Sequence, residues 1–194
     1  MQMDFIKMHG LGNDFIIVDT RGGQKAPERE QIAAMTSRRT GIGCDQFIVL
    51  HKPQEAEEAC FMRIYNAPDG AEAEACGNAT RCVADYLMQD QGCNSISIRT
   101  VAGVLKCSRA ENGQISVDMS PPKLIWNQIP LAHECDTLDI TLAGMDLPSG
   151  VAVNVGNPHI VFFMDEGVEH FPVQEIGPNV EKHALFPQKT NVEF

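Results

Sequence analysis

The chain reads as short apolar runs interleaved with amphipathic stretches. Asp14 to Asp19 is an apolar run bounded by Gly12-Asn13 and Arg21-Gly22-Gly23, which predicts a buried strand. Pro27 opens a predicted helix with Glu28 and Glu30 in its first turn, Ile32 and Met35 on one face, Arg38-Arg39 in its last turn and Gly41 as its stop. Gln46 to Leu50 and Phe61 to Tyr65 predict two more strands. From Cys76 the period changes. Ala79, Cys82, Val83, Tyr86 and Leu87 recur at the three-and-four spacing of an amphipathic helix, which Gly92 ends. Ser95 to Arg99, Val104 to Ser108 and Gln114 to Met119 predict three β segments, and Asn112-Gly113 marks a hairpin between the last two. Pro121-Pro122 breaks the pattern, so residues 1–120 are expected to form one domain and residues 121–194 a second.

The second half echoes the first. Gly12-Asn13-Asp14-Phe15-Ile16-Ile17 resembles Gly156-Asn157-Pro158-His159-Ile160-Val161, and Asp45-Gln46-Phe47-Ile48-Val49 resembles Thr190-Asn191-Val192-Glu193-Phe194. Asn13 and Asn157 lie 144 positions apart, Gln46 and Asn191 145. Gly-Asn before an apolar strand is ordinary turn chemistry, but two matches at nearly one offset predict an internal duplication.

Composition narrows the function classes. Hydrophobic residues at 43% and charged residues at 21% suit a soluble globular protein, and no stretch approaches the roughly 20 apolar residues that span a bilayer. A formal net charge of −11 with no basic run argues against a nucleic-acid partner. The seven cysteines are odd in number and include no C-x-x-C pair, which makes a poor disulfide framework and a poor zinc site. Free thiols in that number predict a reducing, cytoplasmic location.

One cysteine stands apart by its context. In Asn66-Ala67-Pro68-Asp69-Gly70-Ala71-Glu72-Ala73-Glu74-Ala75-Cys76-Gly77-Asn78-Ala79-Thr80-Arg81-Cys82, a strand and a turn deliver Cys76 to the start of a helix. Free backbone N–H groups and the positive end of the helix dipole stabilise a thiolate there, and the same groups can hold a substrate carboxylate. Gly77 lets another backbone or a ligand approach closely. Cys82 falls on the apolar stripe and is expected in the core, as is Cys44 before its strand.

Met8-His9-Gly10-Leu11-Gly12-Asn13-Asp14-Phe15, Gly41-Ile42-Gly43-Cys44-Asp45-Gln46, the Glu74-to-Cys82 segment, Gly156-Asn157-Pro158-His159 and Thr190-Asn191-Val192-Glu193-Phe194 resemble, in order, signature blocks of the diaminopimelate epimerase family. The resemblance implies an α/β (α+β) fold of two pseudo-symmetric domains. Each is a mixed, largely antiparallel curved sheet around a central helix, with the active site in the cleft between them. It implies interconversion of LL- and meso-2,6-diaminoheptanedioate toward lysine and peptidoglycan precursors, by two cysteines with no pyridoxal phosphate and no metal. It also implies a homodimer when full length, acting on a small amino-acid substrate with no nucleic-acid or membrane partner. Position by position, it makes Cys76 catalytic, makes Asn13, Gln46, Asn66, Gly77, Asn78, Asn157 and Asn191 substrate contacts, and gives His159 a part in tuning the thiols' protonation.

Two departures accompany the resemblance. Pro68 looks like an insertion in the turn after Asn66. The second catalytic cysteine block and the Glu-Arg pair before it do not occur. The duplication would put a counterpart of Cys76 near position 220, so the sequence is expected to be cut short, with its second domain incomplete. Cys135 does not substitute, because His133-Glu134-Cys135-Asp136 matches no block of the family. Two other readings stay open at this point: a proline or hydroxyproline racemase-type relative, and a truncated, non-catalytic binding form.

Overall fold

The computed structural model describes residues 3–73, 76–165 and 167–194. Glu74 and Ala75 of the Cys76 motif lie outside the described residues. The chain forms two compact units, the first ending at Met119 and the second spanning Ser120–Phe194. The elements and sheets show a mixed α/β fold.

In the first unit, β1 (Ile6–Gly10), β2 (Asn13–Asp19), β3 (Gln46–His51), β4 (Cys60–Asn66), β6 (Ser95–Thr100), β7 (Gly103–Arg109) and β8 (Ile115–Asp118) run in that order across one sheet. The short β5 (Ala71–Ala73) pairs with β4. β2 runs parallel to β3 and β4 to β6, and the other pairs are antiparallel. The two faces bury different residues of each strand, as a period of two requires. Phe15, Ile17, Ile48, Leu50, Met62 and Ile64 pack with Val83, Leu87 and Met88 of the helix α2 (Gly77–Gln91). Ile16, Val18, Phe47 and Val49 pack on the other face with Ile32 of the helix α1 (Arg29–Thr36). Central strands covered on both sides read as unbroken apolar runs. α2 packs against β1, one edge strand, and also against β8, the other, so the sheet curls around it.

α1 is shorter than its pattern suggests. Its start is fixed by a capping box, in which the Glu28 N–H donates to the Gln31 side chain at 2.9 Å and the Glu28 carboxylate accepts from the helix backbone. The helix ends at Thr36, so Arg38 and Arg39 lie beyond it and not in its last turn. The chain turns sharply here. Gly41 donates to Ser37 O, and Ile42 and Gly43 both donate to Met35 O. A side chain at Gly41 would collide with the Ala34 and Met35 carbonyls, and Gly43 sits at φ 79°. The turn frees Arg38 to reach two carboxylates at the sheet's end.

The second unit has a three-stranded sheet of β9 (Gly150–Asn154), β10 (Pro158–Phe162) and β11 (Asn191–Glu193), with the helix α3 (Val173–Glu181). Ala152, Ile160 and Phe162 pack with Val180, Leu185 and Phe186. The duplication is visible in topology and register. β2 has an antiparallel neighbour before it and a parallel one after it, and β10 has the same. Phe15 opposes Gln46 and Ile16 opposes Phe47; at the equivalent positions His159 opposes Asn191 and Ile160 opposes Val192. α1 and α3 also begin 144 positions apart.

If the first unit's stability rests on α2 filling the curl of the sheet, truncating Leu87, fully buried in it, should cost about 2–5 kcal/mol. Val104→Ala, at an exposed position, should cost under about 0.5 kcal/mol. Urea unfolding followed by circular dichroism checks both, and equal effects would contradict the packing.

Candidate active site

The sheet register gathers the first unit's predicted contacts at one end. Asn13 begins β2 opposite Gly10, Gln46 begins β3 opposite Phe15, and Asn66 ends β4 opposite Gln46. Gln46 Nε2 donates to Asn66 Oδ1 at 2.9 Å, so Asn66 keeps its place beside Gln46 despite the Pro68 in the following turn. Asn78, in the first turn of α2, donates from Nδ2 to Asn13 Oδ1 at 2.7 Å, which brings the helix N-terminus to the same end. Arg81 donates in turn to Asn78 Oδ1.

Cys76 is the N-cap of α2, in extended backbone, and Ala79 N–H donates to its Sγ at 3.5 Å. Its carbonyl accepts from Thr80 N at 2.9 Å and Thr80 Oγ1 at 2.8 Å. The sulfur thus takes the capping position, accepting from one N–H of the helix's first turn. Cys76 is half-buried. Gly77 does not need to be glycine for the fold: a Cβ there would meet Met119 Sδ at 3.6 Å, an ordinary contact.

The other thiols are placed differently. Cys44, Cys60, Cys82 and Cys107 are buried in the core. Burial pushes Cys60 up to about 12 and Cys107 up to about 11, and raises Cys44 and Cys82 as well. Cys135, packed against the core of the second unit, is also raised by burial. Among the described residues no group of His, Cys, Asp and Glu is arranged to hold a metal ion, and no helix is long and apolar enough to cross a membrane.

A charged clamp behind Asn13 escapes sequence reading. Asp14 and Asp45 exchange hydrogen bonds, each backbone N–H donating to the other's carboxylate at 3.0 Å. Arg38 bridges both, at 2.6 Å to Asp14 and 2.8 Å to Asp45, and Lys7 adds a 2.8 Å ion pair to Asp14. Asp45 Oδ2 also accepts from Asn13 Nδ2 at 3.5 Å. Asp14 lies 24 positions from Arg38 and 31 from Asp45, so the β2–β3 pairing and the turn after α1 bring the four side chains together. The available signal was an aspartate beside the amide in each of two motifs, Asn13-Asp14 and Asp45-Gln46.

In the second unit, Asn157, His159 and Asn191 meet at the equivalent end of β10 and β11. His159 Nε2 lies 2.9 Å from Asn157 Oδ1, and its Nδ1 lies 2.8 Å from Glu193 Oε1. Asn191 opposes His159 and donates to Pro158 O at 2.9 Å. The predicted contacts therefore form two groups: Asn13, Gln46, Asn66, Cys76, Gly77 and Asn78 in one unit, and Asn157, His159 and Asn191 in the other.

Residues 5–125 match the family model of diaminopimelate epimerase. Curated relatives agree across nearly the whole chain. The diaminopimelate epimerase of Wolbachia sp. subsp. Drosophila simulans is 46% identical over 98% of this chain and 70% of its own length. The chain belongs to the diaminopimelate epimerase family. The enzyme of the same name from Rhodospirillum centenum is 43% identical over 97% of this chain, but the match spans only 64% of that relative's length. The family fold extends to more distant solved structures. A probable proline racemase from Agrobacterium radiobacter matches with TM-score 0.61 at 12% identity, over 93% of this chain and 55% of that one. A hydroxyproline epimerase from Agrobacterium vitis matches with TM-score 0.59 at 13% identity, over 93% and 56%. These two show the fold alone.

The clamp carries a pH signature. Arg38, against an opposing effect of burial and then helped by Lys7, holds the Asp14 carboxyl well below the usual carboxylate range. A folded-state value below the unfolded one contributes stability that is present at neutral pH and is lost as pH falls through the folded value. Acid unfolding of the wild type should therefore show a component, below the ordinary carboxylate range, that Asp14→Asn removes. Superimposable acid profiles would contradict the clamp.

Proposed function

We propose that the chain carries the substrate-recognition elements and one acid–base thiol of a cofactor-independent epimerase that interconverts LL- and meso-2,6-diaminoheptanedioate. The observation that carries this reading is Cys76 capping α2 at the sheet end where the Asn13, Gln46, Asn66 and Asn78 amides converge. Identities above 40% to diaminopimelate epimerases favour this substrate over a proline-type one, to which the likeness is of fold only.

The chemistry needs these groups. An α-proton beside a carboxylate is weakly acidic, and on this reading no electron sink delocalises the resulting carbanion. In the proposed step, the Cys76 thiolate accepts the α-proton, and the electron pair of the broken C–H bond moves toward the substrate carboxylate. Preorganised donors stabilise the charge that develops there. The N–H groups of the first turn of α2 are suited to that carboxylate. Amides suit the zwitterionic reacting end because each offers both donors and an acceptor. Asn157 and Asn191 belong to the same proposal as contacts from the second unit, and so do the cytoplasmic location and homodimeric state.

Inversion requires a proton returned to the opposite face, hence a second thiol acting as acid. The core cysteines are unsuited, since they are buried among apolar side chains where a substrate cannot reach them. On this reading the second thiol follows the repeat, near position 220.

Incubated with meso-2,6-diaminoheptanedioate in heavy water, the 194-residue chain should wash deuterium into the α-position slowly, with configuration retained. Cys76→Ala should abolish the exchange, and dialysis against a chelator should leave it unchanged. Chiral chromatography with mass detection reads both outcomes. Stereochemical conversion by the 194-residue chain would contradict the two-thiol reading, and metal-dependent exchange would contradict a mechanism based on thiols alone.

A further inference from the structure

The His159 ring is held between two oxygens, with Glu193 Oε1 2.8 Å from Nδ1 and Asn157 Oδ1 2.9 Å from Nε2. We propose that Glu193 is a positioning residue: through His159, it sets which end of the Asn157 side-chain amide is presented to substrate. This rests on the reading of Asn157 as a substrate contact.

A carboxylate oxygen only accepts, so Nδ1 must carry a hydrogen. In a neutral ring Nε2 is then bare, and it cannot face the Asn157 carbonyl oxygen at hydrogen-bond distance, because both atoms are acceptors. Two arrangements resolve the conflict. Nε2 takes a second proton and donates to Asn157 Oδ1, leaving the amide NH2 for a ligand. Alternatively, the Asn157 amide turns over and donates Nδ2–H to Nε2, leaving the carbonyl oxygen for the ligand. An amino acid presents a carboxylate, which wants the NH2, and an ammonium, which wants the carbonyl. The proton on Nε2 therefore selects which substituent Asn157 can hold. Without Glu193 the ring could place its single hydrogen on Nε2 while neutral, and the link between protonation and amide orientation would be lost.

The repeat shows that this is a local addition. In the first unit, Phe15 and Ile48 occupy the positions of His159 and Glu193, and both are fully buried and apolar. There Asn13, the counterpart of Asn157, has its NH2 on the Asp45 carboxylate and its carbonyl oxygen on Asn78. A carboxylate accepts whatever the pH in its ionised range, so that amide has one orientation. Glu193 Oε2 is buried and, among the described residues, has no hydrogen-bond partner. No competing donor therefore draws the carboxylate from His159. Of the strands flanking β10, β9 (Gly150–Asn154) carries no charged residue and β11 supplies Glu193 alone. α3 lies with Ile160 and Phe162 on the opposite face.

The test is nitrogen-15 NMR on the full 194-residue chain, with the ring assigned by loss of its signals in His159→Gln. In the wild type the neutral ring should be protonated at Nδ1. On acidification the Asn157 NH2 resonances should move in step with Nε2. Glu193→Leu, which removes the acceptor, should free the neutral ring to take the Nε2–H form and uncouple the two responses. A neutral wild-type ring protonated at Nε2, or Asn157 signals that ignore its protonation, would overturn the proposal, even if Glu193→Leu fails to fold. Adding meso-2,6-diaminoheptanedioate separates the two readings. If the relay behaves as described but Asn157 does not respond to the compound, the substrate-contact reading fails and the relay stands.

Discussion

A helix that starts inside a folded unit must satisfy the N–H groups of its first turn, which have no partner within the helix. In the first unit α2 is held by the sheet that curls around it, so its N-terminus cannot be repositioned without unpacking the core. A sulfur does the capping where a hydroxyl or carboxylate is usual, with Ala79 N–H on Cys76 Sγ. The same packing that stabilises the unit therefore fixes where its one half-exposed N-capping thiol sits. The amides at the sheet end depend on it too, since Asn78 is on the helix and holds Asn13 on the strand.

The two halves of the repeat use one backbone plan with different polar chemistry. Register equivalence places Asn13 with Asn157 and Gln46 with Asn191. Behind Asn13 stands a clamp of Asp14, Asp45, Arg38 and Lys7, tied together by ion pairs. Beside Asn157 stands a histidine, the side chain whose charge changes most readily near neutral pH.

Much of this was legible in the sequence where the physics is local. The spacing of Ala79, Cys82, Val83 and Leu87 gave α2, Gly92 closes it at φ 64°, and the Asn112-Gly113 turn joins β7 to β8. Cys82 and Cys44 proved to be core residues for the reason their contexts suggested. β1 went unpredicted because its alternation of Ile6, Met8 and Gly10 is brief and polar in between. β5 is three residues long and exists by pairing with β4. α3 contains Gly177 and Pro178, which speak against a helix, and it is held by burial of Val180 in the core. Arg38 was misplaced in α1 because the turn after the helix and the β2–β3 pairing, neither visible in the helical pattern, bring Asp45 and Asp14 to it. The Glu193–His159 contact was hidden for the same reason, since a register two strands wide decides it.

Under the proposed function, Cys76 is the thiol that meets substrate. Alkylation by limiting iodoacetamide, with peptide mapping, addresses it directly. Cys76 should react ahead of Cys82 and Cys107. Added meso-2,6-diaminoheptanedioate should slow its reaction in proportion to occupancy, and leave the slower labelling of Cys93 and Cys135 unchanged. Preferential labelling of another cysteine in the folded chain, or labelling of Cys76 at the same rate with and without the compound at saturating concentration, would contradict it.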